Sequence, residues 1–145
     1  MFKQYIKNQS AGDSQEFWRK NWSEESVESQ LSALEWSGYI PIFNRYITPD
    51  FQGYILENGC GLGAAVQYFN SLKIKIIGLD YILNPLIRQK KNNFDSKLIN
   101  GNGFKIPLKN NSIDICISLG VVEHFEFSYQ EMIKECYRVL KPGGL

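Results

Sequence analysis

The chain has only three cysteines, one histidine and five prolines, and no excess of charge of either sign. Cys60, Cys116 and Cys136 are odd in number and none is paired at metal-ligand spacing, so neither a disulfide framework nor a metal site is expected. They read as reduced thiols of a cytoplasmic protein. Sixteen basic residues against fifteen acidic ones leave a formal charge of +1. That balance lacks the Lys/Arg stripe that displaces counterions from phosphates, so no nucleic-acid partner is expected. The densest basic cluster, Arg88, Lys90 and Lys91, reads as a solvated helix face. The first residues, MFKQYIKNQS, contain no apolar h-region, and the longest apolar stretch, near Ile113 to Val122, is short and interrupted by Asp114. Neither export nor membrane insertion follows. What is there is 43% hydrophobic residues with 14% aromatics in 145 residues, enough for one packed core.

Residues from about 13 to 47 read as helices. Asp13 and Glu16 form a capping box, Val27, Leu31 and Leu34 recur at helical spacing, Gly38 and Pro41 punctuate, and Thr48-Pro49 stops the last segment. From Tyr54 onward short apolar strands alternate with helical segments, as in βαβ units. The strands are expected at Tyr54–Glu57, Ile74–Leu79, Lys97–Asn100 and Ile113–Leu119. Helices are expected at Ala64–Leu72, from Asn84 (N-cap) and Pro85 to about Asn93, and from Ser128 through Leu140, with Met132, Ile133, Cys136, Val139 and Leu140 facing inward. The expected fold class is α/β: a Rossmann-like, doubly wound parallel sheet in three layers, with an N-terminal helical extension over 1–50 and a cofactor-binding unit over 51–145. The alternation calls for a further strand after Leu145, so the chain is expected to be truncated after the fourth strand and its helix. Its apolar edge Ile113–Ile117 is then expected to be uncovered.

The strand Tyr54–Glu57 runs into Glu57-Asn58-Gly59-Cys60-Gly61-Leu62-Gly63. Glycines at alternate positions help neither a strand nor a helix; they let a backbone turn sharply and lie close to a ligand. Alone, this segment fits the dinucleotide pattern G-x-G-x-x-G/A, with Ala64, as well as a G-x-G-x-G pattern. Asp80, about 20 residues further on at the end of the next strand, can accept hydrogen bonds from both ribose hydroxyls, and its charge opposes a 2′-phosphate. A tight turn without ligand for the glycines, and a helix-start or solvent-facing acid for Asp80, are the plain structural alternatives.

Four segments together resemble the class I S-adenosylmethionine-dependent methyltransferases, over about Tyr54 to Gly144. ILENGCGLG is similar to the family's first motif, with Glu57 two places before the first glycine; IIGLDY resembles the second strand with its ribose acid. NGNGFKIPLKNNSIDICISLGVVEHF and ECYRVLKPGGL resemble the later motifs in order. The resemblance implies S-adenosylmethionine as cofactor and methyl transfer to a small-molecule acceptor. By position it implies that Gly59, Gly61 and Gly63 let the loop approach the methionine and ribose, and that Asp80 holds the ribose hydroxyls with Tyr81 beside the adenine. Asn102 stands where the family has an aspartate facing the adenine amino group; it keeps a carbonyl acceptor without the charge. Gly103 offers its N–H to a ring nitrogen, and the backbone near Leu119 and Gly120 faces the methionine amino group.

His124, the only histidine, is the one candidate catalytic residue, as general base or acceptor contact; placement by packing competes with that role. Trp18, Trp22 and Trp36 line a substrate lid or, at helical spacing, serve as packing residues. The nearby helix N-terminus lowers the Cys60 thiol pKa, although packing in the loop is the simpler role. Two rivals stay open: an NAD-dependent oxidoreductase, and a catalytically incomplete cofactor-binding fragment or interaction module.

Overall fold

A computed structural model describes the backbone of residues 11–91, 96–125 and 129–145, with side chains from Gln15 onward. Three helices come first, α1 (Ala11–Glu24), α2 (Val27–Trp36) and α3 (Tyr39–Tyr46). The cap predicted at Asp13 does not start a helix, because α1 already runs from Ala11; the Asp13 side chain lies outside the described residues. The capping box is instead at Ser26, where Ser29 N–H donates to the Ser26 hydroxyl at 3.0 Å and Ser26 N–H to the Ser29 hydroxyl at 3.2 Å. Pro41 does not punctuate. It is the third residue of α3, in the first turn, where its missing N–H has no intrahelical partner to lose.

The alternating part follows: β1 (Ile55–Asn58), α4 (Ala64–Ser71), β2 (Ile76–Asp80), α5 (Leu83–Lys91), β3 (Lys97–Asn100), β4 (Ile115–Ile117) and α6 (Tyr129–Val139). A 3-10 turn at Val122–His124 stands between β4 and α6. Helix α5 begins at Leu83, one residue before the predicted cap Asn84, because the Asp80 carboxylate accepts the Ile82 N–H and turns the chain earlier. The predicted continuation to Asn93 and the predicted cap Ser128 lie outside the described residues.

All strand pairs are parallel, in the order β3-β2-β1-β4, with Leu56 opposite Ile77 on one side and Cys116 on the other. Strand alternation divides the core. Ile55, Ile76 and Ile115 meet Val66 and Phe69 of α4, Leu86 of α5, and Leu34, Phe43 and Ile47 of the N-terminal segment. Leu56, Ile77 and Leu79 meet Ile106, Ile113 and Val139 of α6 on the other face. Helices therefore cover both faces of a parallel sheet, the three-layer arrangement that near-continuous aliphatic strands require. Each fully buried side chain of this kind contributes about 1.5–3 kcal/mol.

Three expectations fail on packing. Ile133 is 51% exposed, because α6 buries the stripe through Met132 and Val139 and Ile133 lies off it. Trp36 is 89% exposed, so it neither packs nor lines a lid. Strand β4 is only three residues long, and its outer edge is partly covered rather than bare. Cys116 N–H donates to the Leu145 carbonyl at 2.7 Å, and Leu145 and Lys141 N–H donate to Asp114 and Ile113 carbonyls at 3.0 and 2.8 Å. Among the described residues no helix is long and apolar enough to cross a membrane.

Candidate functional site

In an open parallel sheet the ligand crevice lies outside the carboxyl ends of the strands, where the strand order reverses. Here that point is between β1 and β4. Strand β1 ends at Asn58, and the following loop is tied to the end of β2: Gly59 and Cys60 N–H groups both donate to the Leu79 carbonyl, at 2.8 and 2.9 Å. Gly61 has φ +50°, and a Cβ there would lie 2.5 Å from the Trp22 ring, so only glycine fits both the backbone and the space.

Asp80 closes β2 with its carboxylate buried under this loop. Its Oδ2 accepts the Gly61 N–H and its Oδ1 the Ile82 N–H, both at 2.8 Å. Burial pushes its pKa up, and these amides oppose the shift. Glu57, on the neighbouring strand, is 4% exposed, and its Oε2 has no hydrogen-bond partner among the described residues. Burial first, and then the Asp80 charge, push the Glu57 carboxyl up to about 8. Cys60 is buried beside both acids. Its thiol is pushed well above its ordinary range by burial and the two carboxylates, so of the two roles weighed for Cys60 it has the simpler one, packing in the loop.

A cavity of about 690 Å³ opens above these groups. Glu57, Gly59, Gly63 and Asp80 line its floor, Tyr81, Asn102 and Gly103 one wall, and Leu119 and His124 another. Gly61 is not on the lining; it lies behind, between Asp80 and Trp22. The Asn102 oxygen, predicted as an adenine acceptor, already accepts the Phe104 N–H at 2.9 Å in an Asx turn, which leaves one lone pair.

The roof comes from α1. The Trp18 and Trp22 rings stack at 5.7 Å, and Trp18 meets the His124 ring edge-on at 5.0 Å. His124 thus both packs and lines the cavity. Arg88, predicted to be solvated, is half-buried: its guanidinium donates to the Trp22 carbonyl in the last turn of α1 and, at 2.8 Å, to the Glu25 carbonyl just beyond it. The other groups missed in the sequence are Asn58, whose Nδ2 donates to the Gly103 carbonyl at 3.4 Å, and Gln89, buried against the glycine loop. Gln89 could have been found from its helical spacing with Ile82 and Leu86. Among the described residues no group of three or more His, Cys, Asp or Glu side chains could hold a metal ion.

The family described as methyltransferase domain matches residues 56–145, which take in the glycine loop, Asp80 and the RVLKPGG segment. The chain belongs to the class I S-adenosylmethionine-dependent methyltransferases. That decides between the two cofactor classes the glycine loop alone left open. The methyltransferase domain is 31% identical over 91 residues to a probable S-adenosylmethionine-dependent methyltransferase of Mycolicibacterium smegmatis, a match covering 63% of this chain and 35% of that protein. The chain is 34% identical over 119 residues to the human probable tRNA methyltransferase 9B, covering 80% of this chain and 24% of the relative. In fold it is similar to a Haemonchus contortus phosphoethanolamine N-methyltransferase solved with S-adenosylhomocysteine, with a TM-score of 0.65, 23% identity, and 75% of this chain and 27% of that one covered. The chain thus spans about a third or less of the length of these relatives.

Proposed function

We propose that this chain holds S-adenosylmethionine in the cavity and serves methyl transfer to a small-molecule acceptor. The observation that carries the reading is the pair of buried acids on the cavity floor. Glu57 Oε2 is buried with no hydrogen-bond partner among the described residues, a costly state that a cationic or hydrogen-donating ligand relieves. Beside it, the Asp80 carboxylate accepts the Gly61 and Ile82 amides, is favoured also by the Tyr81 amide, and lines the cavity, where ribose hydroxyls can donate to it. Among the described lining residues there is no Lys or Arg to oppose a cation. The donor set therefore fits the cofactor.

In this reading residues 51–145 form the cofactor-binding unit, and α1, within the extension over 1–50, supplies its roof. Asp80 accepts from the ribose, and Tyr81, Asn102 and Gly103 flank the adenine. Glu57, Gly59, Gly61, Gly63 and Leu119 shape the methionine end. When bound, the cofactor supplies a methyl group already activated by the positive charge on sulfur. The chain's own work is to align the acceptor with it and to exclude water, which the Trp18 and Trp22 roof favours. His124, at the cavity wall, takes the proton of an acceptor that must lose one.

A small-molecule acceptor is supported by the roofed cavity and the formal charge of +1. A tRNA acceptor is the second reading, favoured by the name of the human relative. Calorimetric titration with S-adenosylhomocysteine and with NAD tests the cofactor; binding of NAD alone refutes it. Transfer of labelled methyl to total tRNA in preference to a metabolite extract would replace the small-molecule acceptor with the second reading.

A further inference from the structure

Gln89 belongs by composition to the polar run Arg88-Gln89-Lys90-Lys91, yet it is 1% exposed. It lies on the inner face of α5, one turn beyond Pro85 and Leu86. From there its Nε2 donates to the Gly61 carbonyl at 2.7 Å and approaches Cys60 Sγ at 3.6 Å. The N–H of the same glycine donates to Asp80 Oδ2 at 2.8 Å. Both backbone polar groups of Gly61 are thus taken by side chains, one from α5 and one from the end of β2.

Two further observations bear on why an amide is there. A Cβ at Gly63 would lie 2.1 Å from Gln89 Oε1, so the third glycine of the loop makes the room this side chain occupies. That Oε1 is buried and has no hydrogen-bond partner among the described residues. A buried unpaired amide oxygen is costly, whereas Met or Leu would fill a similar volume without that cost. Packing alone does not account for glutamine at this position; the bond from its nitrogen to the loop does.

We propose that Gln89 is a positioning residue of the cofactor site. Its bond to the Gly61 carbonyl fixes the Gly61–Leu62 peptide and with it the turn at the Gly61 Cα, so that the N–H of the preceding peptide stays on Asp80 and the carboxylate keeps its place in the cavity floor. The clamp is a property of the chain itself; its effect on ligand rests on the S-adenosylmethionine reading above. The test is Gln89→Met in the whole chain, with amide hydrogen exchange of Gly61 and calorimetric affinity for S-adenosylhomocysteine as readouts. Losing one donor to a backbone carbonyl is expected to speed Gly61 exchange about tenfold and to weaken the ligand about tenfold. Exchange at Leu56 and Leu79, in the strands beneath, is expected to stay unchanged.

Unchanged Gly61 exchange would overturn the proposal. So would equal acceleration at Leu56 and Leu79, which marks a purely structural loss. If Gln89→Met does not fold, Gln89→Leu is measured in the same way. Failure of the unsubstituted chain to bind S-adenosylhomocysteine would refute the ligand reading, while Gly61 exchange still decides the clamp.

Discussion

At the floor of the cavity the Asp80 carboxylate is joined by a 2.8 Å hydrogen bond to Gly61 behind it, and the loop is tied to Leu79 by bonds of 2.8 and 2.9 Å. On the roof Trp18, Trp22 and His124 meet ring against ring, at centroid separations of 5.7 and 5.0 Å. The floor is therefore specified by backbone groups with narrow angular tolerance, the roof by side-chain faces that slide at small cost. Substitutions in the floor should act nearly all-or-none on cofactor affinity, and those in the roof by degrees.

The largest expected effect is at Gly61. Gly61→Val brings a branched side chain to φ +50° and against the Trp22 ring. S-adenosylhomocysteine affinity is expected to fall roughly 100-fold. A calorimetric loss of less than about fivefold would mean that the floor is as pliant as the roof. Next is Asp80→Asn, which removes the charge from the acceptor of the Gly61 and Ile82 amides and, in the proposed complex, of the ribose hydroxyls. A loss of about tenfold or more is expected in the same titration.

Glu57 sharpens the comparison through pH. Its carboxyl is raised from 4.5 to about 8 in the folded chain, so between these values the folded form keeps a proton the unfolded form has released. Stability should fall as pH rises from about 4.5 to about 8 and level off above it. Glu57→Gln should remove that slope, matching the parent chain near the low end of this window and exceeding its urea midpoint at the high end. Parallel pH profiles for the two proteins would show that Glu57 ionises freely. The smallest effect is at the roof: Trp18→Leu is expected to change S-adenosylhomocysteine affinity only about twofold. A tenfold loss would make α1 part of the cofactor site proper.

The same contrast explains what was legible in the sequence. The floor was, because glycine at alternate positions and an acid at the end of the next strand are local signs of a backbone conformation. Strand β3 and the parallel class followed from the same alternation. Periodicity does not say which distant helix covers a loop, so the contact of Trp22 with Gly61 and the burial of Gln89 were not visible. Arg88 and Trp36 failed for a related reason. Charge suggested solvent and aromaticity suggested packing, yet a guanidinium can end a helix and an indole can face outward. The β4 edge was misread because its ladder partners, around Lys141 and Leu145, lie within a segment that reads only as a helix stop.

The hold of Arg88 on the end of α1 has a consequence in time. The guanidinium and the Trp22 carbonyl it binds are 66 residues apart in the chain. During synthesis α1 leaves the ribosome well before its anchor exists, and closing so long a loop carries an entropic cost that local helix formation does not. The roof helix is thus held only once Arg88 has been made, and the contact of Trp18 with His124 comes later still.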